Sequence, residues 1–410
     1  MSTWLRNVRL EIGETTYDDG SIQTKTDLFH IQVAQDGIIQ TIIPATDIIP
    51  DANAVEMEGK LALPAFKEMH NHLDKTYLSL GWRACRPVSC LSERLALEAD
   101  ELEELAETVE QRATAMIELH LSNGVNHIRT HVNIDPFIKL KNLEGVKKAL
   151  KAYEQYVTYE IVAFPQHGLL AHEEMPDLLR QALQSGATIL GGLDPAGIDK
   201  DIEKSLQVTM DIAKEFDVDV DMHLHDRGRV GYYTMDKWLD MVKEQDYKGA
   251  TTFSHAFGLS KLTPPIQKQF AKKLSDHNVE IMSTIPISIN AQLIPIDIMR
   301  AQGVKVSLGC DGFFDSWSPF VPGDILEKVY NFCEYTGKSS ERSLRESLSL
   351  ITQGVTPLNE EGDQVWPKVG DEASFVFVDA SCSAEAVARL PKKRLLMHKG
   401  KLYKPNHKSV

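Results

Sequence analysis

The run His70-Asn71-His72-Leu73-Asp74-Lys75 places two imidazoles at positions i and i+2. On an extended backbone such residues point the same way, so the pair can grip one metal ion from the end of a strand. The run follows an apolar, strand-like stretch from Leu61 to Phe66, and His223, His255 and Asp311 come later, each ending a short apolar run of its own. Three neutral imidazoles and a carboxylate, from His70, His72, His223 and Asp311, can hold one divalent ion and leave a position open for water. Bound zinc lowers the pKa of such a water to about 7, which supplies hydroxide at neutral pH. Attack at an amidine-type ring carbon followed by collapse expels an amine, and collapse needs a proton on the leaving nitrogen.

These residues need a scaffold that brings distant strand ends together. Strand candidates are Leu61 to Phe66, Val125 to Val132, Val157 to Phe164, Ala187 to Leu193, Val218 to Leu224, Thr251 to His255, Val279 to Ile285 and Val304 to Gly309. Between them lie helix-like segments with apolar residues at three- and four-residue spacing, among them Ser92 to Ser122, Leu143 to Tyr156, Glu173 to Ser185 and Lys200 to Phe216. Strict alternation argues for a parallel sheet with helical crossovers, hence an α/β chain, and eight units suit a closed (β/α)8 TIM-like barrel. A doubly wound open sheet competes. It loses because His70, His131, Gln166, Asp194, His223, His255, Asn290 and Asp311 fall at the carboxyl ends of the strand candidates, as a barrel mouth requires and a single crevice does not. The chain ends, rich in Val, Ile, Phe and Thr with turns such as Asp19-Gly20 and Lys399-Gly400, predict short strands that pair into one small β-sandwich domain. The expected division is 1–58 with 360–410 for that domain and 59–359 for the barrel.

Composition narrows the partners. The 59 acidic against 44 basic residues give a net charge of -15, which argues against nucleic acid or an anionic membrane and favours a small molecule. No apolar run approaches the roughly 18 residues that span a bilayer, and the first residues carry no signal-peptide core, so a cytoplasmic protein is expected. Cys85, Cys90, Cys310, Cys333 and Cys382 are too irregular for a disulfide framework, and reduced thiols are expected. Thr76 to Leu91, with Trp82, Arg83 and Arg86, is too aromatic and basic for a bare linker and reads as a lid or subunit contact. The acidic run in the next helix, Glu98 to Glu107, reads as a solvated face.

Six motifs in order carry a resemblance: G-K-L-A-L-P-A-F leading into H-N-H-L-D-K, E-I-V-A-F-P-Q (Glu160 to Gln166), D-M-H-L-H-D (Asp221 to Asp226), F-S-H-A-F (Phe253 to Phe257), G-C-D-G-F-F-D-S-W (Gly309 to Trp317) and V-G-D-E-A-S-F-V-F-V-D-A (Val369 to Ala380). With these the chain resembles the amidohydrolase superfamily, and within it the cytosine deaminase-like group. The resemblance implies a distorted eight-stranded barrel, one divalent metal (zinc first, iron or manganese as others), hydrolysis of C–N bonds in cyclic amidines and a homo-oligomer. Two positions depart from cytosine deaminases: Asp226 stands where a Glu is typical, and Gly312 follows the metal Asp where an Asp is typical.

His225, two residues after His223, can share the same mouth by strand periodicity, and His titrates near working pH. H-L-H-D, together with Lys75 after H-L-D, is similar to the N-isopropylammelide isopropylaminohydrolase branch, whose members remove amines from aminotriazine rings. The expected roles follow from that likeness: His255 positions the nucleophilic water and accepts its proton, or else serves as a fourth ligand, with His225 and Asp226 in the relay and Asp311 on the ion. Lys75, Gln166 and Trp317 would hold substrate, Lys75 by charge on a ring oxygen, Gln166 by pairing with a ring edge and Trp317 by stacking. Two other readings stand beside a hydrolase of aminopyrimidines or aminotriazines. One is a catalytically silent relative, against which the complete ligand set argues; the other is a ring-opening cyclic amidase, for which a middle-strand Lys would be expected where Asp194 stands.

Overall fold

The computed structural model describes residues 2–49, 54–287, 293–320 and 322–405. Two separate sheets organise the chain. The first contains β1 (Thr3–Thr16), β2 (Ile22–Val33), β3 (Ile39–Pro44), β4 (Ala54–Glu56) and β5 (Leu61–Pro64) from the N-terminal part, with β14 (Phe375–Val378), β15 (Arg394–His398) and β16 (Lys401–Leu402) from the C-terminal part. Its order is β16-β15-β14-β5-β1-β2-β3, with β4 beside β1, so both chain ends share one small domain. Leu5, Val8, Leu10, Ile31, Phe375 and Phe377 form its core. The second sheet is parallel, with β6 (Phe66–Asn71), β7 (Val125–Asn133), β8 (Thr158–Phe164), β9 (Ile189–Leu193), β10 (Asp219–His223), β11 (Thr251–Ser254), β12 (Glu280–Ser283) and β13 (Lys305–Leu308) paired in chain order. Strand β13 returns to β6, where the Asp311 N–H donates to the His70 carbonyl at 2.8 Å and Asn71 bridges Asp311. The arrangement is the expected (β/α)8 TIM-like barrel with its flanking sheet.

Two expectations are corrected. The strand expected over Leu61 to Phe66 is divided. Leu61–Pro64 pairs with β14 and meets β1 in the small sheet, and the first barrel strand begins at Phe66, so His70 lies within a strand and not after one. Both halves are apolar and buried, and periodicity cannot say which sheet a short buried run joins. The single helix expected over Ser92 to Ser122 is two, α1 (Leu91–Ala106) and α2 (Val109–Ser122). The break is held by Arg112, fully buried, whose guanidinium donates to the Leu105 carbonyl at the end of α1 and to the carbonyls of Asp74 and Thr76. That contact serves the orphaned last turn of a helix and ties α1 to the segment behind His72. The helix α3 (Lys141–Ala152) shows the ordinary logic of the outer ring, burying Leu143, Val146, Ala149 and Leu150 along one stripe. Asn290 lies outside the described residues. Among the described residues no helix is long and apolar enough to cross a membrane.

Barrel closure depends on one glycine. A Cβ at Gly309 would sit 2.4 Å from His70 Cβ and 2.5 Å from the His70 carbonyl oxygen. Backbone cannot yield as a flexible side chain does, so Gly309→Ala is expected to push the strand bearing His70 away from the turn bearing Asp311. The overpacking should cost about 1–3 kcal/mol. Thermal unfolding together with zinc content checks this; unchanged stability and full zinc binding would show that the closure has slack.

Candidate metal centre and active-site cavity

The ligand-type residues converge at the carboxyl ends of the barrel strands. His70 and His223 are contributed by β6 and β10, His72 and His255 directly follow β6 and β11, and Asp311 stands three residues beyond β13. His255 and Asp311 have φ of 64° and 65°, left-handed values uncommon for residues with a Cβ. The chain turns abruptly out of each strand at these residues, a cost that cooperative packing around functional sites can hold. His70, His223 and His255 bring ring nitrogens within 4.8 Å of one another, and His70, His72 and Asp311 do the same. His72 Nε2 lies 3.4 Å from Asp311 Oδ1, His70 Nε2 3.8 Å from the same oxygen, and His255 Nε2 3.9 Å from Asp311 Oδ2.

Hydrogen bonds fix two of the tautomers. The His72 Nδ1–H donates to the His131 carbonyl at 3.1 Å, which leaves Nε2 as a lone pair. Ser254 Oγ donates to Asp221 Oδ1 at 2.6 Å, so its lone pair accepts the His70 Nδ1–H at 3.0 Å and His70 Nε2 is likewise free to bind. His70 Nε2 and both ring nitrogens of His223 and His255 are buried without a protein partner. Burial pushes the pKa of His70 down to about 3 and those of His223 and His255 well below the ordinary value, so their imidazoles stay neutral. Buried nitrogen lone pairs with no donor, gathered around a carboxylate, fit a divalent cation. A deeper grouping of His70, His131 and Asp221 also exists. Its carboxylate is already bound by Arg129 and Ser254, which favours the group at the mouth.

A cavity of about 200 Å³ opens over this cluster, lined among others by His72, His223, His255 and Asp311 and by Lys75, Gln166, Asp315 and Trp317. Phe164 stacks on His223 with ring centres 4.1 Å apart. Lys75 donates to Gln166 Oε1 and pairs with Glu98 at 3.3 Å, and its ammonium lies 5.8 Å from the centre of the Trp317 ring. The reading of the acidic run as wholly solvated is therefore corrected: Glu98 is buried against Lys75, and Glu101 accepts from the Tyr77 hydroxyl at 2.5 Å and from Arg86. The segment from Thr76 to Leu91 packs on the loop that follows Asp311, with the Cys85 thiol donating to the Asp315 carbonyl and Trp82 stacked on Phe314.

His225 lines the cavity, its ring 4.2 Å from that of His255. Its Nδ1–H donates to Asp194 Oδ2 at 2.8 Å while its backbone N–H donates to Asp194 Oδ1. Burial works against the charged imidazolium, but the hydrogen bond and charge of Asp194 outweigh it and hold His225 above its ordinary pKa. Asp226 turns away, accepting from the Gly197 N–H at 3.2 Å, and does not line the cavity. Asp194, noted in the sequence only as a strand end, is thus the group that orients His225. Sequence reading also passed over Asp315, although it stands inside the G-C-D-G-F-F-D-S-W run, and over the buried pair Asp221 and Ser254 behind His70. Burial pushes the Asp315 carboxyl up to about 7, against the opposing charge of Lys75.

A second chamber of about 330 Å³ shares Gln166, Leu193, His225 and Trp317 with the first and continues outward past Leu91, Leu95, Ile198 and Phe257 to Arg227.

The profile of the Amidohydrolase family matches residues 53–401. The chain is 40% identical over 405 residues to the uncharacterized protein YahJ of Escherichia coli K12, covering 97% of this chain and 87% of that one. It is 26% identical over 386 residues to N-isopropylammelide isopropyl amidohydrolase of Pseudomonas sp. strain ADP, covering 93% and 94%. The solved structure of N-isopropylammelide isopropylaminohydrolase from Burkholderia multivorans superposes with a TM-score of 0.84 at 29% identity, over 98% of each chain. The fold is shared with 5-methylcytosine deaminase from Klebsiella pneumoniae, with a TM-score of 0.75 at 21% identity over 100% of this chain and 98% of that one.

Proposed function

The chain belongs to the amidohydrolase family, and from that premise we propose that it hydrolyses the C–N bond between an amine and a carbon of an oxo-bearing nitrogen heterocycle, an aminotriazine or aminopyrimidine, releasing an alkylamine or ammonia. The observation that carries this reading is the layout of the inner cavity. Unpartnered imidazole nitrogens and Asp311 line it together with a cation and an amide, Lys75 and Gln166. His70, His72, His223 and Asp311 would hold one divalent ion, which when bound polarises water to act as a nucleophile near neutral pH.

The chain's own groups divide the remaining work. Lys75 and Gln166 hold a ring oxygen and its neighbouring edge, and Trp317 covers the ring face. His255 accepts the proton of the attacking water as the C–O bond forms. His225, whose hold on its proton Asp194 strengthens, gives a proton to the leaving nitrogen as the C–N bond breaks, so the amine departs neutral. The second chamber supports an alkyl substituent on that nitrogen, because Leu91, Leu95, Ile198 and Phe257 offer it an apolar wall beside His225. The likeness to N-isopropylammelide isopropyl amidohydrolase points the same way.

The test is a mass-spectrometric screen of zinc-reconstituted protein against N-alkylated ammelides, ammelide, aminopyrimidines and creatinine-like rings, reading both ring product and amine. N-isopropylammelide should be turned over with a kcat/KM at least about tenfold above that of ammelide, the gain that three added carbons bring in an apolar pocket. Zinc-loaded protein that attacks none of these ring classes would sink the reading.

A further inference from the structure

One polar atom of the inner cavity has no role in the chemistry above. Asp315 is 1% exposed and uses its two carboxylate oxygens unequally. Oδ1 accepts from the backbone N–H groups of Trp317 and Ser318, at 2.8 and 2.9 Å, and so shapes the loop that presents Trp317. Oδ2 is buried with no hydrogen-bond partner, and Asp315 and Gly312 are both among the residues that line the cavity. A Cβ at Gly312 would lie 2.3 Å from that oxygen, so Asp315 Oδ2 fills the space that any side chain at 312 would claim. The glycine next to Asp311 and the free carboxylate oxygen are therefore one feature. A buried carboxylate oxygen left unpaired costs stability, and such an atom facing a cavity is satisfied by a ligand donor.

The neighbouring groups say which donor. Because Lys75 donates to Gln166 Oε1, the amide of Gln166 is turned so that its NH₂ is the group left for a ligand. Lys75 and the Gln166 NH₂ are donors, and Asp315 Oδ2 is an acceptor. We propose that Asp315 Oδ2 accepts a hydrogen bond from a ring N–H beside the oxo group held by Lys75 and Gln166, so that the site selects lactam rings carrying an –NH–C(=O)– edge. The proposal rests on the heterocycle reading and adds the tautomer and substitution pattern of the ring. Rings methylated at that nitrogen lose the donor and place a methyl group against Oδ2. Rings with an unprotonated nitrogen there set lone pair against lone pair wherever the Asp315 carboxyl is ionised, above about pH 7.

Asp315→Asn separates this role from loop shaping. The amide oxygen keeps the bonds to Trp317 and Ser318, while an NH₂ donor replaces the Oδ2 acceptor at nearly the same volume. Calorimetric titration of the zinc-reconstituted protein with ammelide, cyanuric acid, uracil and their ring-N-methyl analogues reads the result. The wild-type protein should favour the N–H member of a pair by about tenfold or more, the weight of one hydrogen bond to a charged group. In Asp315→Asn that preference should collapse with zinc content and melting temperature unchanged. Gly312→Ala, which displaces the carboxylate without removing it, should collapse the same preference. Wild-type-like discrimination in both variants, or equal loss of both members of each pair, would overturn the inference while leaving the heterocycle reading intact. Wild-type protein that binds none of these rings overturns the heterocycle reading itself, and the inference with it.

Discussion

His223→Ala is expected to lower turnover by at least about 10³-fold and to reduce bound zinc well below one ion per chain. Losing a group that merely orients a ligand already costs about 10–100-fold, and His223 stands in the proposed ligand set itself. Neither of its ring nitrogens has a protein partner, so the imidazole has no hydrogen bond in the scaffold to lose. What the protein loses in packing is the stack on Phe164 and the ring contacts with His131 and His70. The strand survives, since Val220 and Met222 of β10 keep their buried places and the vacated polar space can take water. Zinc content by mass spectrometry, read beside the thermal midpoint, separates loss of metal from loss of fold. Stoichiometric zinc with full turnover would remove His223 from the ligand set and move attention to the deeper group of His70, His131 and Asp221.

The parts of this site legible in sequence share one physical cause. Parallel strands covered on both faces are short continuous apolar runs, so their ends are visible wherever a polar residue stops the run. His223, His255 and Asp311 were visible for that reason, as was Gln166 two residues beyond Phe164. Periodicity fails once the chain leaves the strand. It aims His225 and His223 into one mouth, and Asp194 in fact fixes His225 there, but it says nothing of Asp226, which follows the next turn toward Gly197. Glu98 was hidden by its neighbours. Amid a run of acids it reads as solvent-facing, and only the packing of α1 over the mouth puts it against Lys75. The break between α1 and α2 was hidden too, because no Gly or Pro marks it and the agent is the distant guanidinium of Arg112. Asp315 was present in a motif but silent, since its significance depends on its oxygen occupying the space a side chain at Gly312 would take, a contact that only the folded chain makes.

Arg129→Met should destabilise the protein by about 3–5 kcal/mol, the usual cost of stripping one partner from a buried ion pair, although the residue touches neither cavity nor ligand. Arg129 lies at the foot of the barrel, where its guanidinium donates to Asp221 Oδ2 at 3.1 Å, to Glu160 at 2.7 Å and to Thr252 Oγ1 at 3.0 Å. Asp221 is fully buried, and burial pushes its carboxyl up to about 6 even with the guanidinium opposing that rise. Met matches the length of the apolar stem but leaves this carboxylate with Ser254 as its remaining hydrogen-bond donor among the described residues. Because Ser254 in turn accepts the His70 Nδ1–H, the same substitution loosens the group that fixes the tautomer of a proposed metal ligand. Zinc affinity should fall by about 10–100-fold alongside the stability. Arg129→Met combined with Asp221→Asn removes the orphaned charge, so it should recover part of the lost stability while zinc affinity stays low. Denaturant unfolding and chelator competition on the two variants measure both effects. Equal stability of the single and double variants would mean that Asp221 is neutral in the fold and that Arg129 stabilises it through its other partners, Glu160 and Thr252.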